Sequence, residues 1–413
     1  MASSGLQRRR AAGTSSSAQE EDLGGAWSVS SNSAGNGSGG SSEGSGGQNG
    51  NGVAVAHAGS AFEGGSKIAF DPRDLERDDA DARAAGGRMP RLTIMEEVLL
   101  LGLKDRQGYL SFWNDNISYA LRGCILLELA LRRRIAIIRD PARKRFPLSD
   151  RVVEVIDSRP TGETLLDEAL RMMTSVSSLN DSSSAVQPER MSVNTWIDLL
   201  SGETWNVMKI GFQLKQVRER LAKGLVDKGV LRTEKRNFLL FDMATHPVAD
   251  SRTKEAVVRR CTALLTAQTR AVPPDALGKD GEQCRATRAV ALVCTAYAAS
   301  VLDNAFSRLD YEARESAFAR AEDVLAEFAT WPFGTSADVG TNSGASARRK
   351  VGSRIGAGSS GSGSIGRESV LGLVDAVRAE MHSIGSGTSD NEDLCFELIA
   401  AVLDVLSRLD SLL

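Results

Sequence analysis

The chain has 413 residues and a formal net charge of −3; that length suggests roughly two or three domains, but forty glycines gathered largely in two tracts leave composition for one ordinary globular domain. The slightly acidic balance excludes a generic polyanion binder, so a basic site has to be local. Five scattered cysteines without a CxxC pair, and three histidines far apart in sequence, speak for reduced thiols and against a metal site or a Ser-His-Asp triad.

Residues 1–88 read as a disordered arm. Gly, Ser, Ala and Asn dominate it, and large apolar residues are too few to bury a core. No apolar run follows Arg8, Arg9 and Arg10, so the start does not read as a secretory signal. Ala2 excludes myristoylation, and the Ser411-Leu412-Leu413 end offers no prenylation cysteine. After Arg10 neither Lys nor Arg appears until Lys67. Three arginines therefore stand at the tip of a tether whose r.m.s. span is roughly 50 Å. The longest nearly apolar run, Ala289 to Leu302, falls short of the about 18 residues that a membrane-spanning helix needs. The expectation is a soluble chain, or one held on a membrane by non-covalent contacts.

Order begins near Arg91. Thr93 with Glu96 forms a capping-box pattern ahead of the apolar helical run Ile94 to Leu103. Lys104 to Gly108 reads as a turn, Ile117 to Leu131 as a mostly buried helix, and Ile135 to Ile138 as a short strand. Thr164 to Met173 is helical, Thr174 to Ser192 a polar loop, and Thr195 to Leu200 a short helix capped by Asn194. The spacing of Ile210, Leu214, Val217, Leu221 and Leu225 predicts one helix from Val207 to Asp227, ended by Lys228-Gly229. Val230 to Thr233 and Phe238 to Phe241, joined by Glu234 to Asn237, read as a hairpin. Helices follow at Lys254 to Thr269, Thr287 to Asn304 and Arg314 to Phe328. A Gly/Ser-rich tract, 334–366, made locally basic by Arg348, Arg349, Lys350 and Arg354, precedes a final helical pair, Glu368 to His382 and Asn391 to Leu412. The predicted fold class is mainly α: a single compact helical domain, 89–413, with one β-hairpin, flanked by the arm and interrupted by the 334–366 insertion.

Formal matches to catalytic patterns lie in the low-complexity tracts. Gly35 to Gly40 and Gly361 to Gly366 fit GxGxxG, and Gly40 to Gly44 fits GxSxG, but no strand precedes them. With no credible nucleophile, metal cluster or cofactor motif, the chain reads as a non-enzyme. Four features remain open between a structural and a functional role. Lys215 and Arg218 share a helical face at i,i+3, which suits a solvated surface or a two-cation phosphate clamp. Trp113 is a partly buried core aromatic or a side chain flanking a lipid headgroup. Arg122, in an otherwise apolar helix, is half of a buried ion pair or a pocket cation. Phe238, Leu239, Leu240 and Phe241 at the hairpin suit the core, self-association into a homo-oligomer or shallow membrane insertion.

The strings Leu92 to Arg106, Ser111 to Asp115, Leu121 to Cys124, Asp198 to Asn206, Val217 to Lys223 and Phe238 to Met243 together resemble the Golgi phosphoprotein 3 family. The likeness runs from about Leu92 to Phe306 and weakens after Leu309; the Gly/Ser insertion departs from the family pattern. The resemblance implies a mostly helical adaptor, peripheral on the cytosolic face of the Golgi membrane, that binds phosphatidylinositol 4-phosphate. It also implies that the chain retains glycosyltransferases by linking their cytosolic tails to COPI coatomer. The family's headgroup pocket falls on Trp113, Arg122, Lys215 and Arg218 here. Lys215 is Arg in the animal members, so that match is by charge. Leu6-Gln7-Arg8-Arg9-Arg10 resembles the arginine cluster that engages coatomer. The rival reading is a winged-helix-like nucleic-acid binder, since a basic helix followed by a hairpin mimics that layout; net acidity and the family strings weigh against nucleic acid as a partner.

Overall fold

Thr93 starts the first helix. The computed structural model describes residues 88–110, 115–181, 190–238, 241–335, 362–384 and 393–409, all of them within one compact unit, Ser60–Leu413. The Thr93 hydroxyl accepts from the Glu96 amide, and the Glu96 carboxylate accepts from the Thr93 amide at 2.9 Å, so the capping box read from the sequence forms. Helix α1 (Ile94–Gly102) behind it is buried along its whole length. It is a central strut, touching α2 (Asp115–Leu131), α5 (Val217–Asp227), α6 (Ser251–Leu265), α7 (Arg285–Ala298) and the short α8 (Leu302–Ala305). Its apolar residues fill the core on several sides, and its two buried carboxylates, Glu96 and Glu97, are paired with Lys228 and Arg260.

The other inner helices are α2, α7 and α11 (Leu394–Leu406), the last two buried over most of their length. Helix α11 packs on α2, on α7 and on α4 (Val193–Ser201). Helices α3 (Thr164–Asp181), α9 (Tyr311–Phe328) and α10 (Ser362–Ile384) pack outside these. Burial pushes the thiols of Cys124, Cys261, Cys284 and Cys395 up to about 12. These cysteines are core packing atoms held as free thiols.

Mainly α is the observed class, with two antiparallel strand pairs where one hairpin was expected. Strand β1 (Ile135–Ile137) pairs with β2 (Val153–Val155), Ile135 opposite Val155. Strand β3 (Glu234–Phe238) pairs with β4 (Phe241–Thr245), from Glu234 opposite Thr245 to Phe238 opposite Phe241. The polar run Glu234 to Asn237 is therefore strand rather than turn. Along β3 the polar residues alternate, Lys235 and Asn237 exposed, Glu234 and Arg236 half-buried, so the strand keeps its polar side chains in contact with water.

Several helix limits also differ from expectation, among them the end of Lys254–Thr269, which is observed at Leu265, and the start of Asn391–Leu412, observed at Leu394. Helix α3 continues to Asp181, into the expected loop. Ser192 rather than Asn194 caps α4, accepting from the Thr195 amide, while Asn194 donates to Asp198 at 3.0 Å. The expected Thr287–Asn304 helix divides into α7 and α8, with Ser300 at φ 56° between them. The arm 1–87, most of the insertion, Trp113, Leu239 and Leu240 lie outside the described residues.

Candidate functional site

The expected Val207–Asp227 helix is two pieces. A 3-10 turn, Val207–Phe212, is separated from α5 by Gln213 to Gln216, with Gln216 in the left-handed region at φ 55°. The cause is tertiary. Leu214 is fully buried, and its amide donates to the Leu200 carbonyl at the end of α4 at 3.1 Å. Lys215 is consequently not on a helix; it occupies the turn that leads into α5, and Arg218 is the second residue of α5. Their shared location survives, but by a different construction from i,i+3 on one helix.

Arg122 holds this junction together from α2. Its Nε donates to the Leu200 carbonyl at 3.3 Å, and one Nη donates to the Leu214 carbonyl at 2.9 Å. The other Nη donates to the Ser118 carbonyl and hydroxyl, both at 2.8 Å. The guanidinium is buried but faces neutral oxygens. It is not half of an ion pair among the described residues. Burial pushes its pKa down, and neighbouring Arg218 pushes the same way, to about 10. Glu219 and Glu203 oppose this without reaching ion-pair distance of it. Among the described residues neither Lys215 nor Arg218 has a hydrogen-bond or ion-pair partner.

The N-terminus of α5 opens on the same spot. Gln216 makes no side-chain cap, so the first amides of the helix lack that partner. Uncapped amides, the positive end of the helix dipole and three cations together favour an anion of phosphate type. Two neighbouring cations are differently engaged. Arg220 pairs with Glu168 at 2.6 Å, and Lys228 with Glu96 and Glu163, both at 2.8 Å. A helix followed by a hairpin is present, as a winged-helix layout would require, but its basic residues do not form one free row.

Trp113, expected beside this cluster, lies outside the described residues, and so do Arg8, Arg9 and Arg10. For Phe238 and Phe241 only the backbone pairing is described. Sequence reasoning missed the segment between α4 and Lys215. Trp205, Val207, Met208 and Ile210 are exposed there, Trp205 by 103%. Absorbing them into a continuous helix hid this; Gly202 and Gly211 on either side were the available signal of a loop. Elsewhere, a cavity of about 220 Å³ is lined by Tyr297, Asp303, Phe318 and Leu406, and none of the three cations lines it. No group of metal-ligating side chains occurs among the described residues. None of their helices is long and apolar enough to cross a membrane.

Comparison with known proteins gives a consistent family. The sequence model of Golgi phosphoprotein 3 matches residues 94–351. The chain is 48% identical over 365 residues to Vacuolar protein sorting-associated protein 74 of Schizosaccharomyces pombe, covering 87% of this chain and 93% of that protein. It is 44% identical over 347 residues to the protein of the same name from Eremothecium gossypii, covering 84% and 90%. The chain belongs to the Golgi phosphoprotein 3 family. The family match begins at Ile94, the first residue of α1, and takes in Arg122, Lys215 and Arg218. It stops before α10 and α11, yet α11 is part of the core, so the folded unit of this family member extends beyond the matched residues.

Proposed function

We propose that this family member is a peripheral, non-enzymatic adaptor on the cytosolic face of the Golgi membrane. It binds the headgroup of phosphatidylinositol 4-phosphate at Arg122, Lys215 and Arg218, with Trp113 at the pocket edge. It retains glycosyltransferases by linking their cytosolic tails to COPI coatomer, the latter through Arg8, Arg9 and Arg10 at the end of the arm 1–88. The tip 238–241 of the hairpin adds self-association or shallow insertion.

The observation that carries the lipid reading is the set of three cations at an uncapped helix start with no carboxylate at ion-pair distance among the described residues. Such a cluster repels itself, and a phosphate relieves that repulsion. The sorting role is supported by family membership and by the names of the two relatives. The headgroup alone is a weak anchor, since each basic residue near an anionic surface contributes about 1 kcal/mol. Residence on a membrane therefore needs several signals at once.

The test is flotation of the full chain on phosphatidylcholine vesicles carrying one phosphoinositide each, beside a coatomer pull-down. The expected outcome is flotation with phosphatidylinositol 4-phosphate above the other phosphoinositides. Replacing Arg8, Arg9 and Arg10 with Ala abolishes coatomer capture and leaves flotation unchanged. Equal flotation on every vesicle refutes the headgroup reading, and undiminished coatomer capture refutes the role of the arm.

A further inference from the structure

The loop 201–213 combines a tightly held base with an apolar tip. At the base, the Leu214 amide donates to the Leu200 carbonyl at 3.1 Å, and Arg122 binds the carbonyls of both residues. Gly202, at φ +87°, comes so close to Gln213 that a Cβ there would sit 2.2 Å from its Nε2. These contacts close an Ω-type loop. Its interior is wired as well. The Asn206 amide donates to Thr204 Oγ1 at 3.2 Å, the Met208 amide to Asn206 Oδ1 at 3.0 Å and the Lys209 amide to the Asn206 carbonyl at 2.9 Å. Phe212 sets its ring edge-on against buried Trp196 at 5.8 Å.

This built loop presents apolar side chains to solvent. Four of the eight exposed large hydrophobic residues among the described ones fall between 205 and 210: Trp205 at 103%, Met208 at 88%, Val207 at 76% and Ile210 at 48%. Such concentration marks a binding surface rather than scatter. Its charge selects the occupant. Lys209 lies within the tip, and Lys215 and Arg218 follow directly after the loop. An apolar patch edged with cations and led by a Trp matches the boundary between anionic headgroups and acyl chains. A second copy docked by a two-fold axis would set this cation cluster against its own image.

We propose that Trp205, Val207, Met208 and Ile210 form a tip that inserts into an anionic lipid bilayer, with Arg122 as the positioning residue that fixes the tip to the headgroup site. The proposal deepens the headgroup reading and rests on it. One guanidinium fastens both ends of the loop and adjoins Arg218, so headgroup capture and insertion reinforce each other as two weak anchors on one rigid body.

The experiment uses the full chain, the double variant Trp205→Ala with Met208→Ala, and Trp205→Phe. Vesicles of brominated phosphatidylcholine contain either phosphatidylinositol 4-phosphate or phosphatidylserine. Soluble inositol 1,4-bisphosphate serves as the headgroup probe in calorimetry. The expected result is that wild-type emission is quenched by brominated lipid, and that most of the quenching disappears in Trp205→Phe. The double variant loses about tenfold or more in vesicle affinity, while its affinity for the soluble headgroup, its melting temperature and its mass by light scattering stay as in wild type. Undiminished vesicle affinity of the double variant, or equal quenching of wild type and Trp205→Phe, overturns the tip. A changed mass in the double variant overturns it in favour of a face between copies. If wild type ignores the soluble headgroup yet Trp205 is quenched on phosphatidylserine vesicles, the tip stands and the headgroup reading falls.

Discussion

Arginines in two parts of this molecule are treated in opposite ways. In the core, Glu128 on α2 receives Arg288 at 2.8 Å and Arg132 at 3.3 Å, along with the Ile94 amide at 2.9 Å. Glu397 on α11 likewise receives Arg143 at 3.0 Å and Arg151 at 2.6 Å. At the junction of α2, α4 and α5, Arg122 is also buried, but its partners are carbonyl and hydroxyl oxygens, and it adjoins a second arginine. A buried charge is tolerated when it is paired and hydrogen-bonded. The core arginines meet both conditions within the protein. Arg122 meets only the second. Full pairing marks a charge whose work is finished on folding; hydrogen bonding without neutralisation leaves room for an anion from outside.

The sharpest break of the comparison is on the paired side. Glu128→Leu strands Arg288 and Arg132 without their carboxylate. Stability should fall by about 3–5 kcal/mol in urea titration. A loss under about 1 kcal/mol would mean that the ion network is dispensable packing.

Acid probes the same pair. Burial pushes the Glu128 carboxyl up, but the two arginines overcome this and hold it at about 2, against an ordinary value of 4.5. A lowered folded-state pKa stabilises above the unfolded value, so the contribution is complete above about pH 4.5 and is lost as pH falls toward about 2. Glu96 and Glu97, whose carboxyls burial pushes up, act in the opposite sense. The difference between wild type and Glu128→Gln isolates the effect. Their melting temperatures should converge as pH drops from 5 to 2 on the order of those values; parallel curves would contradict the pairing.

On the unpaired side, Arg122→Ala removes the tie between the Leu200 and Leu214 carbonyls. The cost should be smaller, about 1–3 kcal/mol, and accompanied by loss of flotation on phosphatidylinositol 4-phosphate vesicles. Loss of stability with full flotation would make Arg122 a brace and nothing more. Trp113→Ala should weaken flotation with little change in melting temperature, whereas a core Trp would cost about 3–5 kcal/mol of folding.

Local signals carried much of this fold. The Thr93–Glu96 capping box, the apolar run of α1 and the buried α2 are stated by neighbouring residues, and the structure follows them. Arg122, Lys215 and Arg218 were nameable, and the structure brings them together. What was not legible depends on distant contacts. The stripe from Ile210 to Leu225 has helical spacing throughout, yet burying Leu214 and bonding it to Leu200 breaks the helix before Lys215. Nothing near Arg122 in sequence says that its partners are carbonyls some eighty and ninety residues on. Trp205 ran against the usual tendency of tryptophan to be buried, and Glu234 to Asn237 looked like a turn because the run is polar throughout, with Lys235 and Asn237 exposed on the strand it forms.

The most direct measurement of the central claim uses Lys215→Ala combined with Arg218→Ala. Neither side chain has a partner among the described residues, so the melting temperature should hold, with stability within about 0.5 kcal/mol of wild type. Flotation on phosphatidylinositol 4-phosphate vesicles, measured beside phosphatidylserine vesicles of equal charge, should be abolished for the phosphoinositide. If the double variant floats with phosphatidylinositol 4-phosphate as wild type does, the unneutralised cations are not a headgroup site and the account is wrong.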